Sequence, residues 1–282
     1  MAVETLPIYL SNPNDLISLP DVYFKVRDLV QQSAGTSEIS QANAFDPALT
    51  VRFLSIANSA LFSPSSEISS VSRAVTLLGT QIVHDIVLAS SVSDLFDGIP
   101  AEVIDVKTFW TQSVTCGVIA KALADHLDVL DSGHVFIQGL LADVGHVLMY
   151  QHEPEKMIKI IELAKALGEK PHVIELRELG YNYCDIGGFI AEQWDLPAGI
   201  PETILHHQEP TGSAEHAFET SIIHVARVLS EFNSAGIAAP SFDPSALSTL
   251  GLSEEELMSL YEEWLSTVTT TVSSFGGARK AA

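Results

Sequence analysis

The run from Val135 to Tyr150, V-F-I-Q-G-L-L-A-D-V-G-H-V-L-M-Y, constrains the fold more than any other stretch. It is apolar on nearly every side of a helical wheel, the pattern of a helix enclosed by other helices. Into this run the chain places one carboxylate, Asp143, and one imidazole, His146, three residues apart and so on one helix face. A buried carboxylate without a partner is costly or gives up its ionisation. The chain must therefore supply Asp143 with a counter-charge, either a side chain or a metal ion.

The rest of the sequence reads as helices around that run. An extended lead-in over Leu6–Pro20 precedes helices at Asp21–Ser33 and Ser37–Ala44. Asp46 and Pro47 are an N-cap and first-turn pair opening a helix to Asn58. Ser70–Leu78 stops at Gly79, and Thr80 restarts a helix to about Leu95. A D-G-I-P loop within Phe96–Asp105 divides two helical lobes, giving units at 1–98, 99–235 and 236–282. The second lobe holds helices at Thr108–Leu127, Pro154–Leu167, Pro171–Leu179, Cys184–Gln193, Pro201–His207 and Ala214–Phe232. A final pair follows the Ser234–Pro240 loop; its second helix opens on a capping box, Ser253 with Glu256, and Gly276–Lys280 reads as a frayed tail. With no strand-like alternation and no repeat, the fold class is all-α, a multi-helix bundle with an N-terminal helical lobe.

Charge and cysteine usage narrow the function. With 36 acidic against 14 basic residues the net charge is −22, which repels phosphate backbones and acidic membrane surfaces. No nucleic-acid or membrane partner is expected. No apolar run reaches the roughly 18–20 residues that span a bilayer, and Met1–Pro7 lacks a leader pattern. Cys116 and Cys184 cannot build a disulfide framework and read as buried and inert. The expectation is a soluble protein of the bacterial cytoplasm. No nucleophilic triad, phosphate-cradling loop or Cys-rich metal spacing is present, and Gly187–Gly188 reads as close helix packing.

Several segments together resemble the HDOD domain, the output-domain branch of the HD phosphohydrolase superfamily. They are D-P-A-L-T-V-R-F-L-S-I-A-N-S-A-L-F (46–62), I-S-S-V-S-R-A-V-T-L-L-G (68–79), F-W-x-x-S (109–113), G-L-L-x-D-x-G (139–145), W-x-L-P (194–197) and the pair His206-His207. The resemblance covers about 15–265 and implies an HD-like helical core. In the superfamily's hydrolases, His and Asp side chains on separate helices hold divalent ions that activate a water. Here the resemblance puts Gln112, Ala142, Tyr183 and Arg227 at ligand positions, leaving Asp143 and the His206-His207 pair. Gln and Ala do not replace imidazoles, and an arginine sets a permanent positive charge where a cation would sit.

The resemblance implies a non-catalytic signal-transduction module with no cofactor, binding a protein partner or a small signal molecule in the remnant pocket. The alternative is a divergent phosphohydrolase with a site rebuilt around Asp143, His146 and His207. Asp143 is expected to pair with Arg227. Of the adjacent histidines only one can face the old centre, because neighbours on a helix diverge by about 100°. His146 is expected to bond a backbone carbonyl or a tyrosine, and His84 and His224 read as structural. Trp110 and Trp194 read as core, and Asn58 and Ser59 as a tight loop between helices.

Overall fold

Helix ends in this chain are set by caps that the sequence spells out. A computed structural model describes residues 7–11, 19–32, 35, 38–39, 47–129, 132–197, 199–235 and 239–279. Helix α1 spans Asp21–Gln31 and α2 Pro47–Ala57. Helix α3, Val71–Leu78, has Ser70 accepting from the Arg73 N–H, and α4 follows at Thr80–Val92. Gly79 joins them at φ 87°, a left-handed conformation that suits glycine. Asp105 caps α5, Val106–His126, by accepting from Lys107 and Thr108. Next come α6, Ser132–Leu141, α7, Val144–His152, and α8, Pro154–Leu167. Helices α9, Pro171–Leu179, and α8 both end on left-handed glycines, Gly180 and Gly168. Helix α10, Tyr183–Gln193, opens on a capping box of Asn182 with Asp185. Helices α11, Gly199–His206, and α12, Ala217–Ala235, complete the core. Asp243 caps α13, Pro244–Leu250, and Ser253 with Glu256 opens α14, Glu254–Arg279.

Among the described residues there is no strand, and the all-α expectation holds. The expected helix at Ser37–Ala44 and the cap at Asp46 fall mostly outside the described residues. Three expectations are corrected. The central run is two helices, broken at Ala142–Asp143. Part of the lead-in is a 3-10 turn, Ile8–Ser11. The tail is helical through Arg279; Lys280 lies outside the described residues.

The buried apolar side chains form one continuous cluster from Leu10 to Phe275. At its centre α5 packs against α6 and α12, while α14 lies along α2 and α5. The α5–α6 contact is backbone on backbone, since a Cβ on Gly139 would meet the Gly117 Cα at 2.8 Å. Trp110 and Trp194 are core. Asn58 ties the α2–α3 connection together. Its Nδ2 donates to Leu54 O at 2.9 Å and Ile68 O at 2.8 Å, and its Oδ1 accepts from the Ile68 N–H at 2.8 Å. Asn58→Ala is expected to cost about 1–2 kcal/mol, a fall of a few degrees in a thermal melt.

Candidate functional site

Asp143 sits in the break between α6 and α7, at the N-cap position of α7 with φ −99° and ψ 12°. Its carboxylate does not cap the helix. Arg227 of α12 reaches across instead, its Nε 2.9 Å from both carboxylate oxygens. Asp143 is 3% exposed and Arg227 9%. The Arg227 Nη1 also stands 2.9 Å from Glu231 Oε1, at an angle that makes no hydrogen bond. Burial opposes the charged carboxylate, but Arg227 beside it, aided by His146 and His207, holds Asp143 below the usual carboxylate range. Burial likewise opposes the guanidinium, and Asp143 and Glu231 nevertheless hold its pKa well above the ordinary value.

The histidines are held by protein groups on both sides of this pair. His207 is fully buried; its Nδ1 donates to Ile204 O at 2.8 Å, so its Nε2 accepts from the Tyr183 hydroxyl at 2.9 Å. Gln208 in turn donates to Tyr183 Oη at 2.6 Å. His224 donates from Nδ1 to His207 O at 2.8 Å and accepts the Asp243 N–H at 2.9 Å. His146 corrects the sequence expectation. Its Nε2 bonds Glu175 Oε1 at 2.8 Å, and its ring stacks on Tyr183 with centroids 3.9 Å apart. Glu175, 0% exposed, also accepts the Tyr183 N–H at 2.9 Å. Sequence reasoning missed this residue, because α9 turns Val173 and Leu176 to solvent and Glu175 inward.

Of the expected pocket residues, Asp143, Arg227, Tyr183 and His207 come together. Ala142 is fully buried in the break, and Gln112 is half-buried one turn before Cys116 on α5. His206 does not join them: it is half-buried and lines a separate cleft. Nor do Asp143, His146 and His207 converge as metal ligands. Among the described residues, the three ligand atoms that lie within 4.8 Å of one another belong to Glu202, Glu215 and His216. A divalent ion does not fit the Asp143 centre: a guanidinium stands on the carboxylate, and both ring nitrogens of His207 are engaged. The side chains of the remnant are buried, Asp143 at 3%, Tyr183 at 2% and His207 at 0% exposure.

Burial pushes the His207 imidazole down to about 4, and His172 likewise, with Lys170 adding to the effect there. The folded state thus keeps these rings neutral, while the unfolded chain takes up protons near the ordinary value of 6.5. Their contribution to stability is complete above about pH 6.5 and is lost as pH falls toward 4. Urea midpoints across that window are expected to drop for the wild type and to drop less for His207→Gln.

A family model described as the HDOD domain matches residues 16–210; Arg227 lies beyond the matched stretch. A curated relative, an uncharacterized protein of Treponema pallidum (strain Nichols), is 25% identical over 225 residues, which are 78% of this chain and 43% of that protein. The chain thus spans less than half the length of that relative. Solved structures share the fold. An HDOD domain protein of unknown function from Geobacter sulfurreducens superposes with a TM-score of 0.76 at 23% identity over 93% of each chain. A Shewanella amazonensis SB2B protein provisionally named a phosphohydrolase also gives 0.76, at 22% identity over 96% of this chain and 97% of its own. A Marinobacter aquaeolei VT8 protein provisionally named a signal transduction protein gives 0.71 at 22% identity, over 94% of this chain and 60% of its own.

Proposed function

The chain belongs to the HDOD family, and on that premise we propose that it is a non-catalytic signal-transduction module whose hydrolase metal site has been replaced by protein charges. It works by binding a protein partner or a small signal molecule. The observation that carries this reading is the buried contact of Arg227 Nε with Asp143, 2.9 Å at the centre of the core. A fixed guanidinium neutralises the carboxylate and repels a cation from the same space. The signalling name of a structural neighbour is compatible with this role.

We read residues 1–98 as the N-terminal lobe of one HDOD unit, 99–235 as the HD-like core and 236–282 as C-terminal helices. Two free, buried cysteines suit the reducing cytoplasm, and no described helix is long and apolar enough to cross a membrane. The divergent-hydrolase alternative would need Asp143, His146 and His207 to turn toward one ion. His146 is held by Glu175, and His207 by Ile204 and Tyr183, so the geometry argues against it.

The test is turnover of phosphomonoesters and cyclic nucleotides by the full chain with Mn2+ or Mg2+ supplied. No metal-dependent hydrolysis is expected. Turnover that chelation abolishes and Asp143→Asn removes would overturn the proposal.

A further inference from the structure

Between α1 and α4 on one side and α10 and α11 on the other lies a cleft of about 1220 Å3. It is distinct from the buried charge centre, for none of Asp143, Tyr183, His207 and Arg227 lines it. Five carboxylates do: Asp185, Glu192, Asp195, Glu202 and Glu215. The one guanidinium, Arg27, is already met by Asp28 at 3.0 Å and Asp195 at 3.1 Å. Clefts lined by one sign of charge between low-dielectric walls focus that field on whatever enters. Three aromatic side chains, Tyr23, Tyr181 and Phe189, share the lining, and aromatic faces attract cations.

Unpaired polar atoms point to the same chemistry. Tyr23 and His84 line the cleft and are both more than nine-tenths buried. His84 Nδ1 is 3.0 Å from Asp85 Oδ1 and donates to it. His84 Nε2, the adjacent Asp85 Oδ2 and Tyr23 Oη have no hydrogen-bond partner among the described residues. Buried acceptors are seldom left so in folded proteins. The Asp85 oxygen can only accept and the Tyr23 hydroxyl can accept, so a donor satisfies both.

We propose that the interlobe cleft binds a small organic cation rich in N–H donors, an amine or guanidine, with the carboxylates of Glu192 and Glu215 supplying attraction and the Tyr23–His84 wall unpaired polar atoms. An anionic ligand such as a nucleotide meets the wrong field there. The inference rests on the regulatory reading of the chain and gives its signal a chemical class and a place. Binding across the cleft bridges residues of the N-terminal lobe and of the core, so the ligand stabilises one arrangement of the two.

Isothermal titration of the full chain at fixed ionic strength tests this, with agmatine and spermidine as probes and AMP and Mg2+ as comparison arms. A saturable one-to-one isotherm is expected for an amine, weakened about tenfold or more in Glu192→Gln/Glu215→Gln, with none for AMP or Mg2+. Both residues are exposed, and a thermal melt checks that the double variant remains folded. Equal, unsaturable heats for amines and Mg2+ in wild type and variant would mean that the acidic surface only gathers counterions, and would overturn the proposal. Saturable AMP binding weakened by the same variant would overturn it too. Metal-dependent hydrolysis would sink the regulatory reading whatever the amines do, whereas failed amine binding without hydrolysis removes only the ligand assignment.

Discussion

Gly145→Ala is expected to destabilise the protein by about 3 kcal/mol or more, lowering the melting temperature by about 6–12 °C. A Cβ at this position would stand 1.9 Å from Tyr183 O and 2.7 Å from Gly187 N. Both are backbone atoms of α10, so no side-chain rotation relieves the clash and the helices must part. Gly187→Ala is the control: its Cβ would meet first the Ile204 Cγ2, at 2.7 Å, a side-chain atom rather than backbone. A smaller loss is expected there. If the two substitutions cost the same, the α7–α10 contact is not as close as described. The effect also reaches the centre, because parting α7 from α10 draws Tyr183 off His146.

Arg227→Met is expected to cost about 3–5 kcal/mol by leaving the Asp143 carboxylate buried and unpaired, and Asp143→Leu somewhat less, because Glu231 still faces Arg227. The double variant Asp143→Leu/Arg227→Met is expected to regain most of that loss, since a well-packed apolar pair replaces a buried ion pair at little net cost. Chemical denaturation of the four proteins reads the coupling directly. Additive losses would mean that the two charges do not depend on each other. The acid limb follows the same logic: the pKa of Asp143 is depressed in the fold, so its stabilisation is present above the ordinary carboxylate value and is lost as pH falls through the folded one. Asp143→Ala is expected to flatten that limb.

Local signals carried much of the fold. Gly168 and Gly180 stop α8 and α9, and the Ser253–Glu256 box opens α14, because caps act within one turn of chain. The break at Ala142–Asp143 was hidden, since apolar residues on both sides continue the wheel through a two-residue interruption. Its trace is an Asp at an N-cap position before Val144-Gly145. The resemblance brought Asp143 and Arg227 into one centre across 84 residues of chain, where no spacing rule reaches. Glu175 was illegible for the opposite reason: its burial depends on His146 and the Tyr183 backbone, while Val173 and Leu176 of its own helix lie exposed. The adjacent histidines had to diverge, but only the packing of α11 decides that His207 goes inward and His206 to the cleft. The cleft takes its walls from residues 23–31, 81–84 and 180–215, and no local pattern announces it.

We propose that Arg227 has taken the place of a metal ion. Titration of Mn2+ into the purified wild-type chain, with elemental analysis of the protein as isolated, tests it most directly. No stoichiometric metal as isolated and no saturable Mn2+ binding that depends on Asp143 are expected. One bound ion per chain, released by Asp143→Ala, would contradict it.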